Sequence, residues 1–274
     1  MFDGVSVATD VHADALRAVP IAAELARQLT VPLTVFSVVP DDDLIEARQR
    51  DLRAALAVRG VDASLEVVPD VSPGNRIAEL IRARPGQLPC MASHVRGPAA
   101  EALLGSVASR AIAGSRRPVL LVGPRSGDRL AGSVRCVLAC VDGSSRSELM
   151  LPVAIGLARQ LGVGLQLVQV LPAGLGPRAD HALLELAERL RIDSNLDVEA
   201  RPLLGSDAGP TLVAALESDP RVLPCMASHG RTGFERVMLG SVARYVARHA
   251  PMPVVLETMP VPDVDTGLPP GVHA

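Results

Sequence analysis

The chain has 274 residues, a net charge of −3 and 48% apolar residues, enough for two ordinary domains that each bury a core. With no Trp, one Tyr and three Phe, and with acidic and basic residues mixed throughout, it offers neither the basic stripe nor the aromatic platform of a nucleic-acid binder. The four cysteines, Cys90, Cys136, Cys140 and Cys225, sit in apolar runs without ligand spacing, which argues against zinc and for buried small side chains in a reducing cytoplasm.

In chain order, no secretory signal precedes the first apolar run. "VSVAT" reads as a buried strand, and Leu16, Val19, Ala22, Ala23, Ala26 and Leu29 then recur at helical spacing. "LTVFSVV" is a second strand, and "DDDLIEARQRDLRAALAVRG" a helix with an acidic start and a glycine stop. A third strand, "SLEVV", precedes the short helix "NRIAELIRARPG"; a fourth strand, "LPCMAS", leads to a helix near Ser106 and a fifth strand, "PVLLV". The uncharged run 160–177 contains Gly and Pro, reads as strand plus loop, and is a poor membrane span.

The pattern then repeats. "VATDVHADALRAVPIAAELARQL" aligns without a gap on "ACVDGSSRSELMLPVAIGLARQL", placing Asp10 on Asp142. "CMASHVRGPAAEALLGSV" (90–107) is answered by "CMASHGRTGFERVMLGSV" (225–242), and "PVLL" by "PVVL". We expect two tandem doubly wound α/β domains, each a five-stranded parallel sheet covered by helices on both faces and Rossmann-like. Their expected limits are 1–124 and 134–258, with a linker at 125–133 and a Pro-rich tail at 259–274. Ligands of such sheets bind beyond the carboxyl ends of the strands, where strand order reverses. Asp10, Asp142 and the two "MASH" segments fall there.

In the second copy a loop carrying Gly230 and Gly233 follows the fourth strand, and Gly240-Ser241 opens a helix. Backbone amides at such a helix start suit a phosphate; the same residues also serve as a plain helix start. The loop is not a Walker A sequence, and the first strand carries no GxGxxG. His94 and His229 flank the loops without a nucleophile or acid partner, so they read as packing or ligand-side hydrogen-bonding residues. Arg96 and Arg231 are either phosphate contacts or solvated loop residues. Asp10 and Asp142 fit hydrogen-bond acceptors or turn formers.

Both copies resemble universal stress protein domains, whose ATP-binding members carry Gly-x2-Gly-x9-Gly-Ser/Thr. The resemblance spans 3–123 and 134–258. The second copy reads Ala227-Ser-His-Gly230, nine residues, Gly240-Ser241; the first reads Ala92-Ser-His-Val95, nine residues, Gly105-Ser106. The second therefore lacks only the first glycine, and the first lacks two. The resemblance implies that Asp142 reads the adenine or its neighbourhood and that Val170 packs on the base. It places Met226 and Ala227 by the ribose and phosphates, with His229 beside them, and makes Gly230, Gly240, Ser241 and Val242 phosphate donors. Their first-copy counterparts are Asp10, Val38, Met91, Ala92, Gly105, Ser106 and Val107. Where Gly230 needs positive φ, Val95 costs about 1–2 kcal/mol, making the first site the weaker one.

The expected function is non-catalytic binding of ATP, with or without Mg²⁺, in a cytoplasmic stress-response protein, mainly by the second domain and tuning partner or dimer interactions. The alternative is a nucleotide-independent tandem scaffold with decayed sites. A slow ATPase or an adenylating enzyme ranks last, because no base, nucleophile or acidic metal cluster is assembled. No nucleic acid or membrane is expected as a partner. The resemblance also implies pairing through the fifth strand, an edge that invites another, here within the chain as a pseudo-dimer, with further association into a homodimer left open.

Overall fold

The computed structural model describes residues 1–93, 105–127, 130, 132–172, 180–228 and 239–257. The first half runs β1 (Gly4–Ala8), α1 (Ala13–Leu16), α2 (Ala18–Leu29), β2 (Leu33–Val39), α3 (Ile45–Arg59), β3 (Ser64–Pro69), α4 (Pro73–Arg82), β4 (Gln87–Ala92), α5 (Ser106–Ser115) and β5 (Val119–Val122). The second repeats it with β6 (Cys136–Cys140), α6 (Ser145–Glu148), α7 (Leu151–Leu161), β7 (Gly164–Leu171), α8 (His181–Ser194), β8 (Val198–Leu204), α9 (Ala208–Ser218), β9 (Val222–Ala227), α10 (Ser241–His249) and β10 (Val254–Glu257).

All strands form one sheet, ordered β3-β2-β1-β4-β5-β10-β9-β6-β7-β8. Pairing within each half is parallel, whereas β5 and β10 meet antiparallel through Val119↔Leu256, Leu120↔Val255 and Leu121↔Val254. The expected intrachain pairing of the fifth strands is present. Inner strands such as β1 are buried along their whole length, while β8 at an outer edge buries only Val198 and is otherwise half-buried or exposed. Helices α2, α3, α7 and α8 pack on one face of the sheet, and α4, α5, α9 and α10 on the other.

Two element boundaries depart from the sequence reading. The helical spacing from Leu16 to Leu29 predicts one helix, but the chain breaks between α1 and α2. Pro20 stands in the first turn of α2, where it has no N–H to donate to the Leu16 carbonyl. Pro152 does the same at the start of α7. The acidic stretch before Ile45 opens as a short 3₁₀ turn over Asp42–Leu44, and α3 begins only after it. The glycine stop is found: Gly60 caps α3 at φ 62°, the left-handed region that glycine occupies without strain. Gly162 caps α7 in the same way at φ 67°, while its first-copy counterpart Thr30 holds φ 57° despite its branched side chain.

Reciprocal contacts stitch the halves together. Gln160 of α7 accepts from the Phe2 amide at 3.0 Å and donates to the Phe2 carbonyl at 2.7 Å. Gln28, the matching residue of α2, accepts from the Val134 amide at 2.9 Å. Each half thus grips the backbone that leads into the first strand of the other. The stretch between the halves is itself held. Arg17 donates to the Ser126 carbonyl, Arg125 pairs with Glu217 at 3.7 Å, and the Gly127 amide reaches the Pro251 carbonyl at 3.4 Å. Among the described residues no helix is long and apolar enough to cross a membrane.

Candidate functional site

In each half the chain leaves β1 (or β6) toward one side of the sheet and returns to β4 (or β9) on the other, so strand order reverses between these neighbours. The crevice beyond their carboxyl ends is where this architecture takes ligands. Register places Ala8 beside Met91, and Cys140 beside Met226, at its floor. Val38 and Val170, one strand further out, pack against the same apolar cluster as these methionines. The structure thus brings Asp10, Val38, Met91 and Ala92 to one crevice and Asp142, Val170, Met226 and Ala227 to the other. Both methionines and both alanines are buried.

The two aspartates act at least in part as turn formers. Asp10 Oδ1 accepts the His12 amide at 2.9 Å; Asp142 Oδ1 accepts the Ser144 amide at 2.9 Å and the Ser144 hydroxyl at 2.5 Å. The second turn is the better secured. Gly143 adopts φ 78°, Ser144 Oγ caps α6 through the Ser147 amide, and Ser147 Oγ accepts the Asp142 amide at 3.1 Å. In the first copy His12 holds the N-cap position without a side-chain cap.

The helix starts expected to face an anion are both uncapped by side chains. Gly105 and Gly240 are the N-caps of α5 and α10, at φ −57° and −55°. Ser106 and Ser241 are therefore the first helical residues, and Ser241 does not cap. Both serines are exposed, Val107 is exposed and Val242 half-buried. In α10 the first intrahelical bond runs from the Arg244 amide to the Gly240 carbonyl at 2.9 Å, which leaves the amides of Ser241, Val242 and Ala243 without intrahelical partners. The Gly240 amide, expected as a phosphate donor, instead donates to the Ser228 carbonyl at 2.6 Å. His94, Val95, Arg96, His229, Gly230, Arg231 and Gly233 lie outside the described residues, as does the 259–274 tail.

One residue beside the second crevice escaped the sequence reading. Glu257 ends β10 next to Ala227, and its carbonyl accepts the Ser228 amide at 2.8 Å. Burial pushes its carboxyl up to about 7, against the opposing pull of Arg117. The available signal was the repeat itself, which puts Glu257 where the first copy has Val122. The cysteines are chemically quiet by contrast: burial raises Cys136 to about 11 and Cys140 to about 12, and drives Cys90 and Cys225 upward as well. Cys136 is only half-buried, unlike the other three. Among the described residues no group of three or more His, Cys, Asp or Glu side chains is placed to hold a metal ion.

Fold and crevice together define a doubly wound, Rossmann-like α/β protein built twice in one chain. The family model of the universal stress proteins matches residues 41–123 and 134–256, and the chain belongs to that family. It is 27% identical to universal stress proteins of Mycobacterium tuberculosis and Mycobacterium bovis, over 92% of this chain and 96% of theirs. The crystal structure of a universal stress protein from Archaeoglobus fulgidus superposes with a TM-score of 0.68 at 19% identity, covering 94% of this chain and 99% of that one. A second fold relative is the structure of a putative universal stress protein from Pseudomonas aeruginosa. Its TM-score is 0.61 at 17% identity, with 94% of this chain and 93% of that one covered.

Proposed function

We propose that this stress-family protein binds an adenine nucleotide, ATP with or without Mg²⁺, chiefly through its second half and without chemical turnover. The observation that carries this reading is the start of α10. Three backbone amides stand without intrahelical partners there, behind Gly240-Ser241 and beside the β6/β9 crevice. They present the positive end of the helix dipole to an anion. The buried Met226 and the half-buried Val170 give an apolar floor on which a base can rest. Asp142 sits on a turn fixed by two serines, which presents the aspartate in one orientation to a ribose or base.

The second half is favoured for three reasons. Its glycine pattern is the more complete, its aspartate turn is the more tightly bonded, and the family match covers its Asp142 and Val170. In the first half that match begins at residue 41, beyond Asp10 and Val38. A nucleotide in the β6/β9 crevice would lie near the β10 end of the join between halves, a route to tuning partner or homodimer contacts.

Isothermal titration with Mg-ATP tests the reading. Wild type should bind, and Gly230→Val should weaken binding at least about tenfold, the equivalent of about 1.4 kcal/mol. A wild-type chain silent at millimolar Mg-ATP sinks it. The rival reading is a nucleotide-independent scaffold, favoured by the Gly240 amide being spent on Ser228. Purified protein that carries no nucleotide and shows no melting shift with any would select the scaffold.

A further inference from the structure

The halves differ at a place the nucleotide reading does not use. In the first half, the buried Ser37 hydroxyl on β2 accepts a hydrogen bond from the Arg48 guanidinium of α3 at 2.8 Å. Strand alignment puts Gln169 in the position of Ser37. Counted back from the left-handed C-caps Gly60 and Asn195, Leu183 takes the position of Arg48. Glu148 replaces the buried Leu16.

The outcome is a cavity of about 490 Å³ between α8 and the ends of β6 and β7, walled by Val141, Leu183 and Leu186. That volume lies within the range of small-molecule sites. The apolar walls belong to the cluster on the opposite face of the sheet from Val170 and Met226, and Gly143 of the Asp142 turn also lines the cavity. Glu148 and Gln169 both line it, and among the described residues neither side chain has a hydrogen-bond or ion-pair partner. On the rim, Glu185 is engaged by His181 at 3.2 Å and Glu188 by Arg191.

We propose that this cavity binds an alkylguanidinium group, with its stem against the apolar walls and its N–H fork on Glu148 and Gln169. The first half shows the matching chemistry, because there the half-buried Arg48 guanidinium is held on the Ser37 hydroxyl in the corresponding place. A guanidinium keeps its charge and presents donors in a fixed plane, which suits a carboxylate next to an amide oxygen. In the second half Leu183 stands at the Arg48 position, and Arg189 reaches the cavity only from the exposed side of α8; the proposed occupant is a small guanidino compound or the arginine side chain of a partner.

Titration of the full chain with n-butylguanidine at low salt should give a dissociation constant on the order of 1 mM. Leu183→Arg, which restores the first-half arrangement, should abolish binding. Glu148→Gln, which alters charge but not shape, should weaken it about tenfold and serves if Leu183→Arg fails to fold. Tighter binding of a Gly-Arg-Gly peptide than of n-butylguanidine assigns the site to a partner's arginine, and the reverse to a small guanidino compound. Absence of binding well above that concentration, or binding that both substitutions leave unchanged, overturns the proposal. So does binding that appears only in Arg189→Ala, since the chain would then supply its own occupant. None of these outcomes depends on whether the crevice takes nucleotide.

Discussion

At Glu257 a carboxylate ends a strand whose first-copy counterpart ends in Val122. Burial holds its carboxyl near 7, against 4.5 for an ordinary glutamate. Between those values the unfolded chain releases its proton before the folded one does. The stability this group contributes is therefore complete below about pH 4.5 and lost as pH rises through 7. Solvent still reaches the side chain, so the loss should be on the order of 1 kcal/mol. Urea unfolding should show wild type losing that much more than Glu257→Gln between pH 5 and pH 8; parallel curves would refute it. The repeat made this residue visible as a mismatch but not as a buried acid, because its burial depends on where β10 lies against β5 and β9. The aspartates were more legible: a short carboxylate just after a buried strand is placed to catch amides two residues on, and both do so.

Elements were legible where local chemistry punctuates them. Gly60 and Gly162 mark true helix ends, and the Gly-Ser pairs mark the starts of α5 and α10. The split before α2 was not read, although Pro20 carries its cause. Helix-to-helix approach was equally hidden in a single copy, yet the repeat exposes it. Gly74 of α4 lies against Arg110 of α5, where an added Cβ would come within 2.9 Å of the arginine Cβ. Gly209 of α9 lies against the Tyr245 ring of α10, where it would come within 2.8 Å. Gly209→Ala must push α10 outward or turn the tyrosine. Overpacking of this kind costs about 1–3 kcal/mol, partly offset by alanine's better helix propensity. A lowered melting temperature is expected, together with weaker Mg-ATP binding if the displaced start of α10 holds phosphate. An unshifted melting curve would show that the tyrosine yields freely.

At the scale of the molecule, strand–helix alternation was enough to predict two parallel doubly wound units, since short links leave little other topology. Pairing of the fifth strands followed from the family resemblance, with their edge position as the physical reason. The glutamine contacts did not, because "ARQL" has no meaning until α2 and α7 meet across the join. Each glutamine secures a backbone segment of the opposite half, so Gln28→Ala and Gln160→Ala should each cost about 1 kcal/mol. Gln160 also donates to the Leu29 carbonyl at 3.4 Å, next to Gln28, so the double variant should depart from additivity. Faster hydrogen exchange is expected at the Phe2 amide in Gln160→Ala and at the Val134 amide in Gln28→Ala. Unaltered exchange at both would mean that the glutamines only fill space.

The antiparallel seam also sets an order of events on the ribosome. The β5 edge emerges early, but its partner, Val254–Glu257, is made more than a hundred residues later. Throughout that interval the nascent first half carries an unsatisfied row of amides and carbonyls flanked by Leu120 and Leu121. Two neighbouring polysome chains could therefore join through the same strands before either is complete, making translation the stage at which this duplicated architecture is most exposed to mispairing.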